Sequence, residues 1–499
     1  MGFDPTELAC DAASIVIQNG DFANGVGLWR PLFHHGCSFP PEIYMSIMVN
    51  MIKNPNINSS WLFRADILFD GEGVEGLPDD APSFPSFHGF ELRRCMIRRL
   101  IPRNTMRDEP MDQSCLIFKQ VQSVREDGHD DDGIERTLIV YIPHVSEAEM
   151  PFYHPKVQGI AFLHEWTAVD CRGSISISYL FYHESDRFVE KLTRTAFQLL
   201  KVIYKHGEGR LAGYQKRVQH DVLIPQARVQ NTYATLKQKY ARGLIDSWAE
   251  STDPEKHIFE DLSIAAFLME LWVDMYGKAP FPGFVDIGCG NGLLVWILNQ
   301  EGYRGWGFDA RQRKSWKTYS TTKSSTDSDT TSDSLQQLVL LPPPVSKARL
   351  DELTNDDFSA DLIHDGRFPE GTFIISNHAD ELTPWTPILA TISNCPFIAI
   401  PCCSHNLAGN KFRAPASKDK TKAESSYASL VHWVAQIARD CGWEVEQEML
   451  RIPSTRNTAL VGRKKLSSKS FSTADIEEIV ERYSGTAGYL ENVIKLAKN

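Results

Sequence analysis

The chain has 499 residues, 42% of them hydrophobic, and a formal net charge of −12. That length and apolar content support two or more domains with substantial cores and exclude a disordered chain. The negative balance excludes nonspecific nucleic-acid binding through overall charge, because phosphate affinity needs locally clustered Lys and Arg. Apolar runs fall short of the roughly 20 residues a membrane helix requires, and the opening MGFDPTELACD carries acids where a secretion signal carries bases. Ten cysteines without a C-x-x-C read as free thiols of a reducing compartment, so the cytoplasm is the expected location and no membrane is expected.

In chain order, residues 1–90 are expected to be an N-terminal extension with one helix over 43–52 and a Gly/Pro/Asp-rich loop over 70–89. Residues 91–225 read as an α+β accessory domain. Its strands fall at 115–121, 138–142, 160–166 and 175–181, a hairpin or loop lies at 126–133, and an amphipathic helix spans 186–205. Residues 226–279 form two connecting helices. The first spans 226–248 with Arg228, Lys237, Lys239 and Arg242 outside its apolar stripe, and the second opens on a T-x-x-E box from Thr252 to Glu255 and stops at Gly277.

Residues 280–465 are the α/β catalytic candidate. Phe284, Val285 and Ile287 make a short buried strand, and Asp286-Ile287-Gly288-Cys289-Gly290-Asn291-Gly292 then turns into the apolar run Leu293 to Leu298. Gly305 to Asp309 reads as the next strand, which closes a βαβ unit with an acid about 20 residues past the glycines, the offset that reaches ribose hydroxyls. Strands three, four and five are expected at 338–341, 372–376 and 397–400, a helix at 427–440, and last strands at 443–445 and 459–462. A Ser/Thr/Asp tract over 318–334 is expected to be disordered, and the tail, 466–499, carries one short helix at 475–483.

The loop is G-x-G-x-G with an acid two residues ahead, not the dinucleotide G-x-G-x-x-G. It resembles the nucleotide loop of class I (Rossmann-like) S-adenosylmethionine methyltransferases. Asp286 beside the glycines suits that cofactor's positive aminoacyl end better than a pyrophosphate. Four further segments extend the likeness: Val285 to Trp316, Asn377-His378-Ala379-Asp380-Glu381-Leu382-Thr383-Pro384-Trp385, Ile400-Pro401-Cys402-Cys403 and Leu450-Arg451-Ile452-Pro453-Ser454-Thr455-Arg456-Asn457. With His220 to Gln226 and Lys256 to Asp261 upstream, they resemble the eukaryotic tRNA (uracil-2′-O-)-methyltransferases that act on uridine 44 of serine tRNA. Some relatives carry a Cys3His finger near the C-terminus. No cysteine follows Cys441 here, so that finger is absent.

The resemblance implies S-adenosylmethionine as cofactor and tRNA as partner. The expected cofactor residues are Asp286, Gly288, Gly290, Asn291, Gly292, Asp309 and Asn377. A ribose 2′-hydroxyl is a poor nucleophile that needs a base or a cation beside it, and His378, Asp380, Glu381, Lys411, Arg451 and Arg456 are the candidates. Helix capping is the structural alternative for Asp380 and Glu381, and a turn is the alternative for Arg451 and Arg456. Arg93 to Arg107, Arg311 to Lys317 and Lys411 to Lys422 are the local basic clusters available for tRNA.

Three rival readings remain open. Pyrimidine C5 methylation would use Cys402 or Cys403 after Pro401 as nucleophile. A methyltransferase-like scaffold would bind RNA without turnover. Cys402, Cys403 and His405 would bind a metal, but three ligands on one short segment are more often thiols and a polar loop residue, so no metal is expected.

Overall fold

The protein is seen in a computed structural model that describes residues 2–8, 20–22, 25–27, 29–73, 75, 85–105, 107–121, 133–214, 220–320, 322–323, 332–345, 360–415, 425–466 and 471–498. It divides into two compact units, Met1–Lys216 and Arg217–Asn499. The loop expected at 126–133 falls almost wholly outside the described residues, as do the centre of the tract expected at 318–334 and Lys418, Lys420 and Lys422.

In the first unit the strands are β1 (Thr6–Glu7), β2 (Trp29–Cys37), β3 (Leu62–Glu72), β4 (Phe90–Pro102), β5 (Met111–Gln120), β6 (Ile134–Pro143), β7 (Gly159–Thr167) and β8 (Arg172–Leu180). They form one antiparallel sheet in the order β1-β2-β8-β7-β6-β5-β4-β3. Successive side chains alternate between its faces. Ile139 and Tyr141 join the core under helices α1 (Pro41–Lys53) and α2 (Glu190–Leu211), whereas Leu138, Val140 and Ile142 join a second cluster with Trp29 and Phe118.

Residues 1–90 are therefore not an extension, because β2, α1 and β3 are built into this sheet and its core. Four arginines interrupt the apolar pattern of β4 and hide it from a hydropathy reading. Each has its own structural partner. Arg94 forks onto Asp70 at 2.7 and 2.9 Å, Arg99 onto Asp112 at 2.7 and 2.8 Å, and Arg93 pairs with Glu91 at 2.7 Å. Arg98 is buried and donates to the α1 carbonyls of Met51 and Ile52 and to Gln113. The stretch expected to offer phosphate contacts is thus largely cross-strand bracing. Helix α2 starts at Glu190 and not at 186, and Phe188, within the expected amphipathic span, is 86% exposed.

The second unit opens with α3 (Gln226–Asp246) and α4 (Pro254–Tyr276). Asp253, not Thr252, caps α4, accepting from the Glu255 N–H, and Gly277 ends it at φ 56°. The basic face expected on α3 is largely occupied: Arg228 pairs with Glu270 and Asp274, Lys239 with Glu301, and Lys237 lies over the Phe259 ring.

The sheet of this unit comprises β9 (Phe284–Ile287), β10 (Gly305–Asp309), β11 (Leu335–Gln337), β12 (Phe373–Asn377), β13 (Phe397–Ile400), β14 (Trp443–Met449) and β15 (Thr458–Lys465). Its order is β11-β10-β9-β12-β13-β15-β14, parallel from β11 to β13, with β15 antiparallel to both its neighbours. The third strand is Leu335–Gln337 and not 338–341. Val339 and Leu340 pair instead with Ile363 and His364 outside the main sheet.

One sheet face packs Phe284, Phe373 and Ile398 on α4 and on α5 (Leu293–Gln300). The other packs Val285, Ile374 and Phe397 under α6 (Thr386–Ile392), α7 (Ser426–Asp440) and α8 (Thr473–Arg482). A last helix, α9 (Tyr489–Lys498), is not foreseen in the sequence. Its Tyr489 hydroxyl donates to the Leu340 carbonyl at 2.9 Å in the core.

Glu448 of β14 is 3% exposed, and its carboxylate accepts the N–H groups of Asp221, Val222 and Leu223 at 2.7, 2.7 and 2.8 Å. Beside it Arg451 forks onto Asp221 at 3.1 and 2.5 Å. Together they fasten the segment before α3 to the sheet edge. Glu448→Ala strands three donors, each costing about 1–3 kcal/mol when left unsatisfied. The urea midpoint of the second unit should fall by an amount equivalent to at least ~3 kcal/mol, and an unchanged midpoint would contradict the clamp.

Candidate functional site

In an open parallel sheet, ligands bind beyond the carboxyl ends of the strands. There the loops after β9, β10, β12 and β13 meet, and two cavities of about 310 and 470 Å³ share Gly288, Gly290, Arg313 and His378 in their walls. The smaller cavity adds Asp309, Leu338, Asp380, Glu381 and Tyr489. The larger adds Glu260, Asp261, Asp286, Asn377, Cys402 and Arg456.

The glycines at 288, 290 and 292 have φ of 72°, 54° and 77°, in the left-handed region that a side chain resists. A Cβ on Gly288 would lie 3.0 Å from Ala379 and one on Gly292 2.4 Å from Leu335, so both are held by packing. A Cβ on Gly290 would meet nothing within 4 Å, so this glycine keeps backbone open towards the cleft. The loop's own donors are largely engaged. Gly288 and Cys289 donate to the Phe308 carbonyl, Gly292 to Cys289, and Gly290 to the Asp309 carboxylate at 3.0 Å. A phosphate cradle needs such N–H groups free, so the loop is unsuited to a pyrophosphate. Asn291 has a local role, its side chain accepting from Leu293 at 2.9 Å at the start of α5.

Carboxylates dominate the larger cavity. Asp286 is 1% exposed, and its Oδ1 has no hydrogen-bond partner among the described residues. Burial, then the nearby Asp261 and Asp309 charges, push its carboxyl well above the usual range. Withdrawal from solvent and the Glu260 charge raise Asp261 to about 8, against a weak bond from Asn377 at 3.4 Å. The other Asp286 oxygen accepts from the Asn377 backbone N–H, but a buried acid with one bare oxygen beside two further acids suits a cation. An ammonium or sulfonium fits these residues where an anion does not.

Glu260 and Asp261 are the residues the sequence reading missed as site groups, although it quoted their segment. Two adjacent acids near the start of an otherwise apolar helix were the available signal. Glu260, 7% exposed, meets His378 Nε2 at 2.9 Å. His378 has φ 53°, and its Nδ1 is buried without a partner among the described residues. If Nε2 carries the proton to Glu260, Nδ1 is a lone-pair acceptor at the junction of the two cavities.

The other candidates separate. Asp380, at φ 43°, takes a bond from the Cys402 thiol at 3.1 Å, while the Glu381 carboxylate accepts from its own backbone N–H at the start of the short turn Asp380–Trp385. Burial raises Glu381 above its ordinary value. Arg456 lines the larger cavity with its guanidinium 4.7 Å from the Tyr427 ring centroid. Arg451 is committed to Asp221, and Lys411 is exposed in a bridge to His405, so neither is brought to the two cavities. Among the described residues the one group spaced for a metal is Asp380, Cys402 and Cys403, without His405.

Two family models match, described as a TRM44-like N-terminal bet v1-like domain over residues 10–217 and a predicted AdoMet-dependent methyltransferase over residues 223–328. The chain is 63% identical to a Neurospora crassa protein named tRNA (uracil-O(2)-)-methyltransferase, covering 100% of this chain and 98% of that one. Proteins of the same name in Schizosaccharomyces pombe and Saccharomyces cerevisiae are 39% and 34% identical, covering 94% and 92% of this chain and 92% and 91% of theirs. Among the described residues no helix is long and apolar enough to cross a membrane.

A carboxyl whose folded pKa lies above its unfolded value weakens the fold progressively as pH rises between the two. For Asp261 that window runs from 3.8 to about 8. Asp261→Asn should therefore raise the melting temperature of the ligand-free protein at pH 8 and flatten its pH dependence, with variant and wild type converging near pH 4. An unchanged melting profile across that range would remove Asp261 from the strained set.

Proposed function

The chain belongs to the tRNA (uracil-O(2)-)-methyltransferase family, and from that premise we propose that it methylates the ribose 2′-hydroxyl of a uridine in tRNA, at position 44 of serine tRNA by the family likeness. The observation that carries the cofactor half of this reading is the buried Asp286, whose Oδ1 has no partner among the described residues, beside a glycine loop whose donors are already engaged. The strand order, with one antiparallel strand inserted beside β13, supports a doubly wound class I (Rossmann-like) assignment. The free-thiol pattern and the absence of a membrane-crossing helix among the described residues support a cytoplasmic location.

S-adenosylmethionine supplies a methyl on a sulfonium, whose C–S electron pair stays with sulfur as the new O–C bond forms. Asp286 and Asp261 hold positive charge at one end of the cleft, and Gly288 and Gly290 permit close approach of the backbone. Asp309, at the end of β10, faces the smaller cavity and is the acceptor for ribose hydroxyls. His378 Nδ1 takes the proton from the acceptor 2′-hydroxyl, with Glu260 fixing the tautomer and stabilising the imidazolium that results. Arg456 and Arg313 place positive charge at the walls where a phosphodiester enters.

Methylation at C5 needs a thiolate. Burial first, then the Asp380 charge, push the Cys402 thiol well up, and Cys403 is raised as well, which disfavours that route. Nucleoside mass spectrometry of tRNA incubated with the purified protein and cofactor decides the matter. 2′-O-methyluridine supports the proposal, and a 5-methylated pyrimidine overturns it.

Asp309→Ala removes one or two charge-assisted hydrogen bonds worth roughly 1.5–3 kcal/mol each, so calorimetry should show cofactor affinity weakened tenfold or more in a folded variant. Equal affinity would take Asp309 out of the cofactor site. His378→Ala should lower kcat by about 10²–10⁴ and abolish the acidic limb of its pH profile, while Glu260→Gln should move that limb. A His378→Ala kcat within a few-fold of wild type would exclude the histidine as base.

A further inference from the structure

The first unit encloses its own cavity of about 650 Å³ between the sheet and α2. Its floor holds a charge without a counter-charge. Arg98, 6% exposed, donates only to neutral acceptors, the carbonyls of Met51 and Ile52 and the Gln113 amide oxygen, and has no carboxylate partner among the described residues. The Gln113 amide is spent in turn on His154 Nε2 at 2.9 Å, and His154 Nδ1 donates to the Pro155 carbonyl at 2.7 Å. Beside them the Tyr141 hydroxyl, on a residue 4% exposed, has no hydrogen-bond partner among the described residues. A buried guanidinium lacking an anion and a buried phenol lacking an acceptor both favour an oxygen-rich or anionic guest.

The mouth is of another character. Trp61 and Phe152 are 47% and 55% exposed, and their rings meet edge to face with centroids 5.5 Å apart. Lys191 stands 4.0 Å over the Phe152 ring, and Arg194 lines the same rim. The walls hold three cations, Arg98, Lys191 and Arg194, against the single carboxylate of Glu190, a local excess of positive charge in an acidic chain. Planar rings half in solvent, cations at the rim, and at the base the unpartnered Tyr141 hydroxyl with the Arg98 guanidinium 4.9 Å over its ring match the parts of a nucleotide: a base to stack, a phosphate to neutralise and carbonyl oxygens to accept hydrogen bonds.

We propose that this cavity is a nucleotide-binding site, which takes an unpaired nucleotide of the tRNA and so gives the first unit a direct part in substrate binding. The proposal rests on the reading that tRNA is the substrate. The base stacks on the Trp61 ring with Phe152 against its edge and its carbonyl edge towards Tyr141 and Arg98, and the adjoining phosphate meets Lys191 and Arg194. A free mononucleotide would present the same chemistry, and the test separates the two sources.

The full chain is titrated with tRNA and, separately, with uridine monophosphate, using wild type, Tyr141→Phe and the double variant Trp61→Ala/Phe152→Ala, with affinity for S-adenosylmethionine measured on each. The double variant should bind tRNA about tenfold or more weakly, with KM for tRNA raised and cofactor affinity unchanged. Tyr141→Phe, which keeps shape and removes only the hydroxyl, should weaken tRNA several-fold. Photocrosslinking to 4-thiouridine-substituted tRNA should label peptides containing Trp61 or Phe152. Tight, saturable binding of uridine monophosphate with tRNA affinity unaltered in the variants would reassign the cavity to a free nucleotide and overturn the tRNA role. Wild-type methylation of tRNA together with variants equal to wild type in both titrations, and no crosslink, would overturn the site itself. Failure of wild type to methylate tRNA would instead count against the functional reading.

Discussion

Crowding of like charge around one cleft is the constraint on which the second unit is organised. Asp286 enters from β9 and Glu260 and Asp261 from α4; Asp286 and Glu260 are buried and Asp261 is half-buried beside them. Such an arrangement opposes folding, and it persists because the surrounding apolar contacts over-determine it. The α4 helix is buried on nearly every side, with Leu262, Leu268, Leu271 and Trp272 locked against β9, β12 and α5. It cannot rotate its acids into solvent without withdrawing that packing. The strain is therefore held in a rigid frame.

The sequence showed the parallel core of the second unit clearly, because Phe284 to Asp309 compresses strand, glycine turn, helix and strand into a short span with local signals at every step. It also marked the loop after β12, where left-handed His378 and Asp380 lie. What escaped it was non-local. The partnership of Glu260 with His378 joins positions 118 apart, and neither residue announces the other. Strand β11 was displaced by three residues because Leu338 to Leu341 is the more apolar run, yet Leu335 is the residue that packs on Gly292. In the first unit β3 and β4 were invisible to hydropathy because ion pairs across the sheet replace apolar alternation on part of its surface.

Family-specific motifs and chemistry also separate in an instructive way. Leu450 to Asn457, among the most distinctive segments of the chain, contributes Ser454 and Arg456 to the cleft, while Arg451 is spent on Asp221 and Asn457 on the Leu450 carbonyl. Its distinctiveness reflects closure of the sheet edge as much as recognition. The same holds for His220 to Gln226, whose backbone is fastened by Glu448. A strongly patterned segment therefore marks a place where several elements must agree, and agreement is required of scaffolds as well as of active sites.

Helix α9 gives the cleft a dependence on the order in which the chain is made. Tyr489 and Val493 wall the cavity that contains Asp309, and Asn492 ties the loop after β13 through the Ala408 carbonyl at 2.8 Å. The glycine loop emerges from the ribosome long before these residues do. A nascent chain can thus build its parallel strands early and yet present an open, water-filled trough in place of the smaller cavity. A chain that ends behind α8 would lack Tyr489 and Val493 from the cavity wall and would leave the core beneath them uncovered.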